Sequence, residues 1–238
     1  MRPSLRFFST AIAMATLILA LPCVAEEPPS VTYSPAPLGT VQQNQLVYLA
    51  GEAMHSQWRA TVSKKKVGAS SGTTFYQWYL SIYSIDGTTY NLRYQSPQDG
   101  GPMTTVTRAK GAPMWFPIGE LGIIGVGELM QPGVQQLVVQ SHQMAADCGG
   151  ASVTVFAYDP KTNKVVPAVS IGNPCELTAT VVHGKVSDAI SLSGPYYAPD
   201  AALCCPTKPK AKAMLAYRNG TWYETPNYFK LYPNGFAP

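Results

Sequence analysis

The sequence predicts an all-β protein built of antiparallel hairpin units. Three observations carry that expectation. Apolar residues recur at every second position in short runs. Turn dipeptides punctuate those runs at close intervals. After residue 66 no stretch keeps a helical period for three turns. An incomplete propeller-like stack of hairpins is the preferred arrangement, with a two-sheet β-sandwich as the alternative.

The N-terminus follows a different logic. Arg2 and Arg6 precede an apolar run, Ala11–Leu21, and Cys23-Val24-Ala25 then offers small residues before Glu26-Glu27. This is the three-part pattern of a secretory signal peptide over residues 1–25. The run is shorter than the roughly 20 residues a membrane span needs. A lipoprotein acylated at Cys23 is the rival reading, opposed by Pro22 where a small residue belongs. No later segment is a transmembrane candidate, so the expected location is secreted or periplasmic. Residues 26–40, with Pro28, Pro29, Pro35 and Pro37, read as a Pro-rich tether. Residues 41–238 read as a single all-β domain, with candidate halves 41–115 and 116–238.

The net charge of +4 falls to +2 once Arg2 and Arg6 leave with the signal. The charge of the whole chain therefore overstates how basic the exported domain is. Lys64-Lys65-Lys66 and the set Lys208, Lys210, Lys212 read as solvated faces or strand-edge protection, and no nucleic-acid partner is expected.

Residues 41–66 are ambiguous: Gln45–Met54 suits a short helix or a strand, and the strands that follow favour strand. Within Thr74–Tyr83, Tyr76, Trp78, Leu80 and Ile82 share one face, and Ile85-Asp86-Gly87-Thr88 is a hairpin turn. Tyr90, Leu92 and Tyr94 alternate on the return strand. Residues 97–113 read as a loop around one short strand. Met114–Ile118 and Leu121–Val126 are apolar stretches broken by Pro117, Gly119 and Gly125. Gly133–Ser141 reads as a strand with a buried centre. Ser152–Tyr158 and Lys164–Val169 form a hairpin, and Leu177–Val182 and Ala189–Ser193 are strands. Lys212–Tyr217 and Thr221–Glu224 form another hairpin across Arg218-Asn219-Gly220. Asn219-Gly220-Thr221 also matches the N-glycosylation pattern, which the Asn-Gly turn already explains.

Four cysteines remain after cleavage: Cys148, Cys175, Cys204 and Cys205. In an exported chain they predict two disulfides, Cys148 with one of the adjacent pair and Cys175 with the other. No CxxC spacing supports a metal site, and no motif calls for a cofactor.

A faint internal repeat is visible. Val134-x-x-Leu137-x-Val139 parallels Val186-x-x-x-Ile190-x-Leu192. Each is followed by a cysteine-bearing loop and a strand ending Ala157-Tyr158 or Ala216-Tyr217. The offsets are 56 residues between Cys148 and Cys204 and 59 between Tyr158 and Tyr217. The first hairpin, with Tyr83 before its turn, is a candidate third copy.

Ile124-Gly125-Val126-Gly127-Glu128-Leu129 followed by Pro132-Gly133-Val134-Gln135-Gln136-Leu137-Val138-Val139 resembles an FG-GAP or VCBS-type propeller repeat. The resemblance implies a strand, a calcium loop and an apolar strand. Calcium needs several hard oxygen ligands. The loop Glu128–Gly133 has one carboxylate, so the resemblance implies lost calcium binding. The C-terminal segment, from Ser193-Gly194-Pro195-Tyr196-Tyr197 through Cys204-Cys205-Pro206 to Gly220-Thr221-Trp222, is similar to small exported bacterial proteins with no assigned role.

Catalytic chemistry is sparse. The histidines are His55, His142 and His183. Ser141, His142 and Asp147 contain the residue types of a triad. Adjacent strand residues face opposite ways, however, and no G-x-S-x-G elbow is present. No catalytic residue is assigned. Glu120, Glu128, Asp188 and Asp200 are carboxylates by type for a secreted hydrolase, the alternative function. The 14 Tyr and 4 Trp are more informative. Most belong to a β core. Tyr196 and Tyr197, with Trp222, are the candidate ligand-binding set, on an aromatic loop over 194–206. The expected function is that of a non-enzymatic binding or structural protein of the cell envelope or exterior, recognising a glycan or protein through that loop.

Overall fold

A computed structural model describes residues 30–50, 57–70, 73–96, 105–106, 114–115, 118–143, 150–199 and 206–233. Residues 1–25, read as the signal, lie outside the described residues. The compact unit that holds the described strands runs from Val31 to Pro238.

The chain is all-β. Strand β1 (Thr32–Ser34) is followed by β2 (Thr40–Val47), β3 (Trp58–Ser70), β4 (Thr73–Asp86) and β5 (Thr89–Ser96). Strands β2 to β5 form an antiparallel meander, and β1 adds to β5 in parallel, in the order β1-β5-β4-β3-β2. Two short strands, β6 (Thr105–Val106) and β7 (Met114–Trp115), pair with each other. The second meander is β8 (Ile118–Gln131), β9 (Val134–Gln143), β10 (Ala151–Asp159) and β11 (Lys164–Asn173). The third is β12 (Thr178–Val182), β13 (Ala189–Tyr196), β14 (Lys208–Arg218) and β15 (Thr221–Thr225). The chain then returns to the second sheet, where β16 (Lys230–Pro233) pairs with β11.

The turns form where local chemistry demands them. At Asn219-Gly220 both residues have positive φ, 50° and 80°, as a two-residue hairpin turn of right-handed twist requires. Gly87 follows Asp86 with φ 57°. In the turn after β10, Asp159 accepts the Lys161 N–H (3.0 Å) and the Thr162 hydroxyl (2.8 Å).

The three sheets stack as layers, with the second in the middle. Consecutive β9 residues show why. Leu137 and Val139 pack with Trp58, Ala60, Val62, Leu80, Ile82 and Tyr94 of the first sheet. Val138 between them packs with Ile190, Leu192, Ala213 and Leu215 of the third. Side chains alternate across a strand, so an unbroken Leu-Val-Val run suits a strand covered on both faces. On the next strand Val153 and Val155 face the third sheet and Phe156 the first. The polar Thr154 and Ser170 are buried in this middle layer and bond each other at 2.6 Å.

Edge side chains bind the layers together. Gln43 accepts the Ile123 N–H (2.7 Å), and Gln135 accepts the Tyr48 N–H (3.1 Å). Gln140 donates to the Leu177 carbonyl. Gly127 lies tight against Val181 of the third sheet and the neighbouring Asp188. A Cβ there would meet Val181 at 2.9 Å and the Asp188 carboxylate at 3.1 Å.

Several expectations are corrected. The Pro-rich tether is docked over part of its length. Tyr33 meets Tyr83 and Tyr90 edge-on at 5.0 and 4.9 Å, and Ser63 donates to the Leu38 carbonyl. The apolar run expected to break at Gly119 and Gly125 is one strand, β8, whose register shifts flank both glycines. Bulges absorb the irregularity without ending the strand. The segment Glu128–Gly133, read as a loop, is strand to Gln131 and then a tight Pro132-Gly133 turn. Val186 is off the strand and 87% exposed. Cys148, Cys204 and Cys205, which also entered the repeat, lie outside the described residues. β9 and β13 are the second strands of their meanders, and Tyr158 and Tyr217 each stand near the end of the third.

Candidate functional site

Eight of the described aromatic residues are core. Trp58, Tyr79, Tyr83, Tyr90, Tyr94 and Trp222 are all buried. Burial pushes the Tyr94 hydroxyl up to about 12 against an opposing bond from Ser96. Of the three residues expected to bind ligand, Trp222 is 7% exposed and packs edge-on to Tyr217 at 5.2 Å. It is an interior side chain at the β14–β15 turn. Tyr196 pairs with Lys208 at the other end of β14, roughly 30 Å away at about 3.4 Å per residue. Trp222 and Tyr196 therefore do not form one site.

Tyr196 and Tyr197 do lie on a shared rim. Tyr196 belongs to the end of β13 rather than to a loop. A register shift between Gly194 and Tyr196 re-aims it as the strand leaves the sheet. Its ring lies 5.1 Å from that of Tyr228, tilted by 46°. Tyr228 is held by Glu224, whose carboxylate accepts the backbone N–H groups of Tyr228 (2.9 Å) and Phe229 (3.0 Å). Burial raises the Glu224 pKa, and these two bonds only partly offset it. Lys208 donates to the Tyr228 hydroxyl at 2.5 Å, with its ammonium 4.4 Å from the ring centroid. The three side chains thus form a half-buried aromatic pair with a cation at its margin. Tyr228 was missed in the sequence because its spacing from Tyr196 carries no periodic signal.

The rim is anchored from beneath. The Tyr197 hydroxyl donates to Cys175 Sγ at 3.0 Å. Asn173 donates to the Pro195 carbonyl (2.7 Å) and accepts the Cys175 N–H (3.2 Å). Cys175 is buried. Cys148, Cys204 and Cys205 lie outside the described residues, as does Asp200.

The hydrolase candidates separate. Ser141 bonds Ser152 at 2.7 Å while His142 contacts Gln140 at 2.8 Å, so the serine and histidine diverge. Glu120 is exposed and stands opposite His142 across the β8–β9 ladder. Glu128 accepts the Gly133 N–H at 2.9 Å and closes the turn. Asp188 accepts N–H bonds from Glu128 (2.8 Å) and Gly184 (3.1 Å) and contacts His183 Nδ1 at 3.0 Å. Among the described residues, no group of three or more His, Cys, Asp or Glu side chains could hold a metal ion. No described helix is long and apolar enough to cross a membrane.

No protein-family model, curated protein or solved structure matches this chain. The function is therefore argued from the site.

Proposed function

We propose that this is an exported, non-enzymatic binding protein that recognises a glycan at the Tyr196–Tyr228–Lys208 rim. The observation that carries the reading is the half-buried tyrosine pair with Lys208 bonded at its edge. A tyrosine offers a flat apolar face and a polar tip, which suits the alternating C–H and hydroxyl surface of a sugar. The lysine adds a donor beside the ring. Tyr197, bonded to the Cys175 sulfur, holds the adjoining chain in place. A stapled scaffold favours affinity because less freedom is lost on binding. In this reading the thiols form two disulfides, with Cys175 and Cys148 joined to Cys204 and Cys205. The propeller-like ancestry at 124–139 fits the same picture, a hairpin stack without its calcium ligands.

The test is a glycan array probed with the secreted chain and with a Tyr196→Ala, Tyr228→Ala variant. The reading expects selective glycan binding that falls about tenfold or more in the variant, since stacking residues at binding centres contribute roughly 1–3 kcal/mol each. Unchanged binding by the variant, or no binding by the wild type, would sink it.

A further inference from the structure

We infer that the end of the β3–β4 hairpin is a second, separate binding element, an arm that takes an acidic polysaccharide. The argument begins with register. β3 and β4 pair from Trp58 opposite Ser84 out to Ser70 opposite Thr73. The neighbouring strand β2 stops pairing at Lys64, and β5 stops at Leu80. Beyond those points, among the described residues, the hairpin continues as a ribbon of two strands.

What the ribbon carries is unusual for this chain. Lys64 stands opposite Trp78, and Lys66 opposite Tyr76. Directly opposed residues share a face, and so do residues two apart. Lys64, Lys66, Tyr76 and Trp78 therefore lie on one side of the ribbon. The Lys64 ammonium is 5.0 Å from the Tyr76 ring centroid and 5.3 Å from that of Trp78. Those contacts hold its charge in place rather than leaving it on a free stem. Lys66 is exposed, and Tyr76 is 39% exposed. Residues 60–85 contain no Asp or Glu at all, so nothing on the arm neutralises the lysines.

Lysines protecting a free strand edge would explain exposed charge alone. They would not explain the exposed Tyr76, set opposite Lys66 with its ring against the Lys64 ammonium; Trp78, nearer the root, is partly buried against the core. Cations recurring about every 7 Å along a strand, at about 3.4 Å per residue, suit a polymer with repeated single anions. Aromatic rings beside them suit the apolar faces of sugar rings. Isolated carboxylates are matched by compact ammonium charges. Nucleic-acid recognition favours the planar fork of arginine, and residues 60–85 contain none. A uronic-acid polymer is thus the class that fits. This site shares no residue with the Tyr196–Tyr228 rim and does not depend on it.

The experiment measures binding of the secreted chain to alginate, a polyuronate, by biolayer interferometry at several salt concentrations. Neutral amylose and an oligothymidylate are run alongside. Alginate binding that weakens with salt is expected, with little response to amylose or the oligonucleotide. Lys64→Gln with Lys66→Gln should weaken it about tenfold, the scale of two partly exposed ion pairs. Tyr76→Ala should weaken it while leaving the salt slope in place. Lys210→Gln with Lys212→Gln removes the same charge from β14 and should change it less than twofold. Equal losses in the two lysine pairs would show a general charge effect and overturn the assignment. So would tighter binding to the oligonucleotide than to alginate, or no binding to alginate.

Discussion

At Gly39 the chain turns with φ 78° and passes so close to β3 that a Cβ would lie 2.3 Å from the Lys64 carbonyl oxygen. An L side chain there meets both a disfavoured dihedral and backbone that cannot step aside. Gly39→Ala is expected to cost roughly 1–3 kcal/mol, read as a lower urea midpoint. Asp188 is the other residue whose surroundings make a sharp demand. It is 8% exposed, and burial works to raise its pKa. The N–H bonds from Glu128 and Gly184 and the contact with His183 outweigh burial and hold it below the ordinary 3.8. A depressed folded pKa means stability present above the unfolded value and lost as pH falls through the folded one. Urea midpoints taken from pH 6 downward should therefore drop once the pH passes below about 4. Asp188→Asn should be less stable at neutral pH, by about 1–2 kcal/mol, and should show a smaller acid drop. An acid profile identical to that of the wild type would contradict the role given to this carboxylate.

Strand β9 shows how one element can serve two interfaces. Leu137 is fully buried against the first sheet, and Val138 is fully buried against the third. Leu137→Ala is expected to cost about 2–5 kcal/mol, because close-packed neighbours on both sides limit collapse into the cavity. Val182 on β12 is a useful contrast, since it shares the outward side of the strand with Thr178 and Thr180 and is 43% exposed. Val182→Ala should stay within about 0.5 kcal/mol. Comparable losses at the two positions, measured by chemical denaturation, would argue against a doubly covered middle sheet. The hairpin β3–β4 makes the complementary point. Its root belongs to a packed sheet, where Ala60 and Val62 are fully buried, while Val67 farther out is 54% exposed. One element thus supplies core at one end and a binding surface at the other.

For the molecule as a whole, the stack of three meanders decides where recognition can occur. The middle sheet has apolar clusters against both faces, so its faces are closed to ligands. Binding surfaces must come from sheet ends and extensions. The rim at Tyr196 gathers the end of β11, the end of β13, the start of β14 and the turn before β16. The arm extends from the first sheet. The two surfaces are built from different strands, and each can be altered alone.

Local chemistry determined much of this from the sequence alone. All-β character followed from period-two patterning, and the turns at Asp86-Gly87 and Asn219-Gly220 followed from residues that tolerate positive φ. Tyr196 and Tyr197 were also legible as candidates, because they sit among Gly194, Pro195 and Pro199. Tertiary structure alone decided which aromatics were free. Trp222 and Tyr196 look alike in composition, but Trp222 is buried within the core between the second and third sheets, while Tyr196 packs half-buried at its margin. It also decided that Tyr33 docks on Tyr83 and Tyr90, and that Tyr228 joins Tyr196. The physical reason is range. Turn dihedrals and side-chain alternation are set within a few residues. Burial depends on which distant sheet arrives to cover a face, and no local spacing records that.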